Sequence, residues 1–128
     1  MTAVAAITIP ILPSADFDVT AGFWRDFDFH EIGRWVHEYL ILRHEPLAIE
    51  LHFWHDPTVD RWTNDVACYV RFDSPDAASA QHRAWSGVEV QHPASFRPLR
   101  TEPWGATEFA VIDLHGNLVR FGGFPVSE

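Results

Sequence analysis

The chain has 128 residues, of which 47% are hydrophobic and 14% aromatic, enough for one domain with a substantial core and too apolar for a disordered protein. All nine basic residues are arginines, and the formal net charge of −9 argues against a nucleic-acid partner, because the phosphate backbone would be repelled. No apolar run approaches the roughly 20 residues of a membrane-spanning helix, so we expect no membrane partner either.

The N-terminal stretch reads MTAVAAITIPIL, which alternates like a strand and lacks the basic segment that opens a secretory signal. We therefore expect a cytoplasmic protein. A strand is predicted over Thr8–Leu12, with Pro10 inside it and Pro13 at its end. Because proline cannot donate a hydrogen bond to a neighbouring strand, this segment is expected at a sheet edge or where two subunits exchange strands.

A short amphipathic helix is predicted next. Ser14 and Asp16 are typical N-cap residues, and apolar side chains, Trp24 among them, then recur at helical spacing until the helix ends before Phe29. We assign Trp24 to the core between this helix and a sheet.

Two antiparallel strands are predicted to follow the helix. They cover Arg34–Arg43 and Leu47–Trp54, with a turn at Glu45-Pro46 between them. In the second strand, alternation places Glu50 and His52 on one face and the apolar residues on the other, so the polar face is expected to line a cleft. Residues 55–65 are polar and contain a proline, as is typical of a surface loop.

A second strand and helix begin after this loop. The strand is predicted over Val66–Phe72, and Cys68 within it reads as a buried thiol rather than a nucleophile. Ser74 is a plausible N-cap with Pro75 at the first helical position, and the helix is expected to end in the core at Trp85.

The C-terminal stretch is the most informative part of the chain. After an irregular segment, Val88–Arg100, Trp104 stands between a proline and a glycine, ahead of two predicted strands joined by a tight turn at Asp113–Asn117. These features predict a β-hairpin. A large indole on such a rigid corner is placed to overhang a cleft, while a corner tryptophan that closes the end of the core is the open alternative.

The order of strand, capped helix and further strands therefore occurs twice. Each copy begins its helix with a Ser-x-Asp cap, at Ser14 and Ser74, and carries a tryptophan near the helix end. This self-similarity predicts two modules, each with a helix on one face of a curved sheet and the other face open. We expect a single domain over residues 1–128, with modules at about 1–56 and 66–128 linked by the loop 55–65.

Several short motifs along the chain carry a resemblance to a known superfamily. They are TIPIL before the first helix, Phe23-Trp24 near its end, Asn64 ahead of VACYV, Trp85, and PWG-x-x-EF with D-x-x-GN-x-V-x-F between Pro103 and Phe121. Together they resemble the vicinal-oxygen-chelate superfamily and, within it, the bleomycin-binding resistance proteins. The resemblance implies an α+β fold of paired βαβββ modules whose curved mixed sheets form clefts in a homodimer.

The same resemblance implies a function. It suggests that N-terminal strands are exchanged between subunits about a hinge near Pro10, and that two clefts at the interface sequester a cationic glycopeptide antibiotic of the bleomycin type without altering it. No catalytic residue, cofactor or metal is expected.

Metal-dependent relatives, such as glyoxalase I and extradiol dioxygenases, place one ligand on each of four strands. By motif alignment these positions fall at Ile9, Glu50, Ala67 and Arg120, and only Glu50 could bind a metal ion, because the other side chains offer no lone pair. We therefore interpret the site as metal-free. Glu50 and Arg120 are predicted to face each other across the cleft as an ion pair.

The polar strand also raises two other chemistries, metal binding and acid-base catalysis. His52 and His55 have H-x-x-H spacing, but residues three apart on a strand point to opposite faces, which disfavours a shared metal ion. Glu50 and His52 could act as an acid-base pair, yet no nucleophile accompanies them in a recognisable spacing. Binding is therefore favoured over catalysis.

A ligand with a flat bithiazole and a cationic tail requires aromatic faces for stacking and carboxylates for the tail. Trp104 is the first stacking candidate. The other aromatic candidates are Trp35, Tyr39, Trp54, Tyr69 and Trp62. The carboxylate candidates are Glu38, Glu50, Asp60 and Glu102, and His52 and Arg120 complete the predicted binding set. The carboxylates on or next to the predicted helices are interpreted as solvated surface; they are Asp16, Asp18, Asp26 and Asp76.

Two alternatives to antibiotic sequestration stay open at this point. One is a metal-dependent lyase, isomerase or dioxygenase of the same superfamily, and the other is an accessory ligand-binding module. The chain departs from the resistance proteins over Asp28–Glu45 and Val88–Arg100, which bears on the identity of the ligand.

Overall fold

The computed structural model describes residues 5–125, which form two helices and two mixed sheets. The ends of the predicted domain, residues 1–4 and 126–128, lie outside the described residues. The helices are α1 (Phe17–Arg25) and α2 (Pro75–Ala84). The first sheet contains β1 (Ile11–Ser14), β2 (His30–Trp35), β3 (Tyr39–His44) and β4 (Ile49–His55). The second contains β5 (Ala67–Phe72), β6 (Ser95–Phe96), β7 (Arg100–Thr101), β8 (Thr107–Ile112) and β9 (Leu118–Gly123).

The two sheets share one topology. Their strand orders are β1-β4-β3-β2 and β5-β9-β8-β6, with β7 also pairing with β8. In each sheet the strand that comes first in the chain pairs in parallel with the strand that comes last, β1 with β4 and β5 with β9. The other neighbouring strands are antiparallel. The predicted α+β fold with a repeated helix-and-sheet unit is confirmed.

Both helices begin where the sequence predicts. The carboxylate of Asp16 accepts hydrogen bonds from the backbone N–H groups of Asp18 and Val19, and the hydroxyl of Ser74 accepts one from Ala77. Within residues 5–125, no helix has the length and apolar character needed to cross a membrane.

The core lies between the helices and the inner faces of both sheets. Trp24 and Trp85 are almost completely buried, which confirms the prediction for both residues. Phe27 packs edge-on against Trp85, with ring centroids 5.3 Å apart, and Phe109 stacks on Phe121 at 5.0 Å. Trp85 also packs edge-on against Phe121 at 5.2 Å, so aromatic contacts just after α1 and α2 join the two helices to each other and to the second sheet.

A buried polar cluster also connects the two halves, centred on Asp113 in the β8–β9 turn. Its carboxylate accepts hydrogen bonds from the Trp24 indole, the backbone N–H of His115, and both the backbone and side-chain N–H groups of Asn117. The Asn117 amide also donates to the carbonyl of Pro13 at 2.9 Å. Burial raises the pKa of Asp113, and the Asn117 hydrogen bonds oppose that shift because they favour the charged form.

Two sequence predictions were wrong in detail. The strand predicted over Arg34–Arg43 is in fact two strands, β2 and β3, separated by a tight turn in which His37 has a φ of 59° and the N–H of Glu38 donates to the carbonyl of Trp35. Pro13 does not end the first strand but lies inside β1, opposite Trp54, while Pro10 precedes it. An edge strand tolerates a proline because only one side of it pairs, and β1 is such an edge.

Candidate functional site

Each sheet turns one face to the core and leaves the other open. In β4, Leu51 and Phe53 are buried, whereas Glu50 and His52 are half-buried and Trp54 is exposed on the opposite face. The alternation follows the sequence prediction. The open faces therefore carry polar and aromatic side chains of the kinds that line ligand-binding sites.

A chain of hydrogen bonds crosses the open face of the first sheet. The Tyr39 hydroxyl lies 2.7 Å from Nδ1 of His52, and Nε2 of His52 lies 2.8 Å from a carboxylate oxygen of Glu50. The other oxygen of Glu50 accepts from Arg43 at 3.2 Å. Because a carboxylate only accepts, Nε2 of His52 carries the proton, and Nδ1 of a neutral imidazole then accepts from Tyr39. Burial raises the pKa of Tyr39, so its phenol keeps its proton.

Three aromatic residues form a row on the same face. Tyr39 pairs across the strands with Trp35 on one side and with Trp54 on the other. The two indoles are 54% and 45% exposed, which is unusual for side chains of this size. They offer flat apolar surface to a planar ligand.

The open face of the second sheet contains a groove of about 400 Å³ beside Trp104. The Trp104 indole is 58% exposed, so it does not close the core, and the alternative interpretation of this corner is wrong. Gly105 has a φ of 93°, and the corner is closed by hydrogen bonds from Gly105 N–H to the Glu102 carbonyl and from Glu102 N–H to the Ala106 carbonyl. The indole is therefore held over the groove by a rigid backbone.

The groove brings together three residues of the predicted set and several that the sequence did not single out. The predicted residues are Trp104, Glu102 and Arg120, and the additional lining residues are Arg97, Pro98, Arg100, Glu108, Phe109 and Ala110. Arg97 and Arg120 meet at the groove through Ala110. The backbone N–H of Arg97 donates to the Ala110 carbonyl, and Ala110 lies opposite Arg120 in the β8–β9 pair. A strand pairing of this kind has no local sequence signal, and the segment 88–100 reads as irregular.

Tyr69 spans the same face from β5. It reaches over Gly122 of β9, and its hydroxyl donates to the carboxylate of Glu108 at 2.7 Å. A Cβ at Gly122 would collide with the Tyr69 hydroxyl and would lie 2.7 Å from Cγ of Glu108, so glycine is what leaves room for this bridge. Burial and the Glu108 hydrogen bond raise the pKa of Tyr69 far above its usual range.

The four positions that correspond to metal ligands in relatives are split between two cavities. Ile9 and Glu50 line one of about 270 Å³, and Ala67 and Arg120 line another of about 360 Å³. Side chains of this composition do not fit a divalent ion. In the part of the chain that the structure describes, no three His, Cys, Asp or Glu side chains are grouped for metal binding.

The predicted ion pair of Glu50 with Arg120 is not formed within one chain. Glu50 pairs instead with Arg43 and His52, and Arg120 is in none of the ion pairs found among residues 5–125. His55, the second histidine of the H-x-x-H spacing, packs against Phe17 and His37, away from His52.

The remaining predicted residues lie apart from the Trp104 groove. Glu38 is exposed in the β2–β3 turn, and Asp60 and Trp62 are exposed in the linking loop, where Arg61 lies 4.9 Å from the centroid of the Trp62 ring. Pro10 lies just before β1, and its carbonyl accepts from the N–H of His52 at 3.2 Å.

The chain was compared with known proteins in sequence and in structure. No family model matches the sequence. It is 33% identical over 115 residues to a bleomycin resistance protein of Klebsiella pneumoniae, covering 87% of this chain and 86% of that protein.

The structure is similar to two crystal structures. It superposes on a bleomycin resistance determinant encoded on the transposon Tn5 with a TM-score of 0.78 and 25% identity, covering 95% of this chain and 100% of that chain. A bleomycin-binding protein complexed with bleomycin gives a TM-score of 0.77 and 26% identity, covering 93% of this chain and 98% of that chain.

Proposed function

The chain belongs to the bleomycin resistance protein family, and we propose that it protects its host by binding a bleomycin-type glycopeptide antibiotic in the cytoplasm without modifying it. The observation that carries the proposal is the exposed Trp104 indole, fixed over a groove on an open sheet face. A preformed aromatic surface of this kind suits stoichiometric capture, because little ordering has to accompany binding.

We propose that the flat part of the drug stacks on Trp104. The groove beside the indole is large enough for a heteroaromatic ring system. The row formed by Trp35, Tyr39 and Trp54 on the other open face supplies a second flat surface. A ligand enclosed between these two faces would be stacked on both sides.

Such an enclosure requires a second copy of the chain. The proposed assembly is a homodimer in which the segment ending at Pro10 passes to the partner, so that the first sheet of one subunit faces the second sheet of the other. Two features support it: Ile7 and Ile11 are exposed apolar residues in or next to this segment, and the predicted binding residues are divided between the two open faces.

Within each chain, the two modules, about 1–56 and 66–128, are proposed to act as one domain. The shared aromatic core and the Asp113 cluster support this arrangement, because both join α1 and β1 to the second sheet.

The proposal is tested by titrating the purified protein with bleomycin. Tryptophan fluorescence is expected to be quenched with saturation near one drug per subunit, and mass spectrometry of the released drug is expected to show no change. The absence of both quenching and binding heat would overturn the proposal. A changed drug mass would favour an enzyme, and elemental analysis of protein purified without chelator would then identify its metal.

The contribution of Trp104 is isolated with Trp104→Ala. Loss of the stacking partner is expected to weaken binding by at least about 1 kcal/mol. Val19→Ala is the matched control, since it shortens an exposed apolar side chain on α1, away from both open faces. Equal affinities of the two variants would show that Trp104 does not contact the drug.

A further inference from the structure

The charge of the Trp104 groove is opposite to that of the chain as a whole. The formal net charge of the protein is −9, and its nine arginines are its only basic residues besides histidine. Three of these arginines, Arg97, Arg100 and Arg120, line the groove against two carboxylates, Glu102 and Glu108. The groove is therefore a locally basic region on an acidic protein, whereas the sequence analysis predicted carboxylates as the partners of a cationic tail.

Both carboxylates of the groove are already engaged. Glu102, whose side chain is 13% exposed, accepts from Nε of Arg100 at 2.8 Å. Glu108 is 4% exposed and accepts from the Tyr69 hydroxyl. Neither is well placed to receive an additional cation, because one is neutralised by its arginine and the other is buried under the tyrosine.

The other two arginines have donors to spare. Among residues 5–125, Arg97 and Arg120 take part in no ion pair, and both side chains are exposed at the groove. The Nε of Arg97 donates to the Ser95 hydroxyl, which leaves its terminal nitrogens available. A guanidinium fork of this kind recognises a planar carboxylate through paired hydrogen bonds.

We infer that the Trp104 groove selects a flat heteroaromatic ligand carrying a carboxylate, with the ring on the indole and the carboxylate between Arg97 and Arg120. The inference rests on the proposed function, and it changes the role of the drug's tail: the cationic end is repelled from this groove and lies elsewhere. The form of the drug in which the tail has been hydrolysed to the free acid is then the preferred ligand.

Calorimetry with four probes tests this inference. They are bleomycin with its cationic tail, the tail-free acid, a bithiazole carboxylate, and the dimethylaminopropyl amide of that carboxylate. Each acid is expected to bind about fivefold more tightly than its cationic counterpart, which corresponds to the upper range for an exposed ion pair. The preference is expected to shrink at high salt, because the charges are exposed.

The double variant Arg97→Gln/Arg120→Gln is expected to abolish the preference and to retain stacking on Trp104. Arg25→Gln/Arg83→Gln is the matched control, because it removes the same charge from the exposed last turns of the two helices and is expected to keep the preference.

The outcomes separate this inference from the proposed function. Tight binding of cationic bleomycin with weaker binding of the acid would overturn the inference and leave the function standing, as would a preference that survives in the Arg97/Arg120 variant. Arginine-dependent binding of the bithiazole carboxylate alone would support the inference and overturn the function. Absence of binding by all four probes would overturn both.

Discussion

Replacement of Asp113 by alanine tests whether the buried polar cluster holds the two halves of the chain together. The carboxylate accepts from four N–H groups at 2.9–3.3 Å. Only the His115 amide keeps another option, because it is partly buried and can reach water. Three donors would be left without partners in the core: the Trp24 indole N–H, the Asn117 backbone N–H, and the Asn117 side-chain N–H, whose sister N–H already bonds Pro13.

An orphaned buried donor costs about 1–3 kcal/mol, so the three together predict a loss of about 6 kcal/mol in the free energy of unfolding of Asp113→Ala. Urea denaturation followed by tryptophan fluorescence and by circular dichroism measures this loss. Asp113→Asn keeps the shape of the side chain and one acceptor oxygen, so a smaller loss of about 2 kcal/mol is expected from the same donor count.

The matched control is Asp65→Ala, an exposed carboxylate just before β5, whose replacement is expected to change stability by less than about 0.5 kcal/mol. A loss below about 1 kcal/mol in Asp113→Ala would refute the reasoning, because water or rearrangement would then be satisfying the donors.

Three further predictions concern single positions. Gly116 has a φ of 85°, and a Cβ there would lie 2.6 Å from the Arg61 carbonyl oxygen, so Gly116→Ala is expected to lower the free energy of unfolding by about 2 kcal/mol, measured by thermal unfolding. Gly87→Ala is the control and should have little effect, because a Cβ at Gly87 would meet nothing within 4 Å. Equal losses in the two variants would contradict this prediction. Burial lowers the pKa of His44, so at this position the folded state binds fewer protons than the unfolded state. The free energy of unfolding is therefore expected to fall as the pH drops below about 6.5. His44→Gln should weaken this pH dependence, and an unchanged pH dependence in the variant would contradict the prediction. Burial raises the pKa of Cys68 to about 11 from the ordinary 9.0. Thiol labelling at pH 8 is therefore expected to be about a hundredfold slower in the native protein than in the urea-unfolded protein, because only the thiolate reacts. Equal labelling rates would show that the native thiolate is accessible.

Features with strong local chemistry could be predicted from the sequence. The caps at Asp16 and Ser74 and the glycine and asparagine of the β8–β9 turn determine their elements through hydrogen bonds to near neighbours. The β2–β3 turn was missed because residues 34–39 contain no glycine, proline, asparagine or aspartate, the residues that most often mark a turn.

The site was only partly predictable, for a related reason. Trp104 could be identified because its proline and glycine neighbours make an unusual corner, and Glu50 and His52 because strand alternation places them on one face. The arginines of the groove come from separate segments, and only the pairing of β8 with β9 and the hydrogen bond from Arg97 to Ala110 bring them together. Long-range pairing of that kind leaves no periodic signal in the sequence.

The closed backbone corner under Trp104 has a kinetic consequence. Because two backbone hydrogen bonds and the left-handed Gly105 fix the backbone of this corner before any ligand arrives, association requires no loop closure and should proceed at nearly the same rate for related compounds. Differences in affinity among them would then reside in how slowly each one leaves. Under the proposed function, the time for which a drug molecule stays bound would therefore determine how well the protein protects its host.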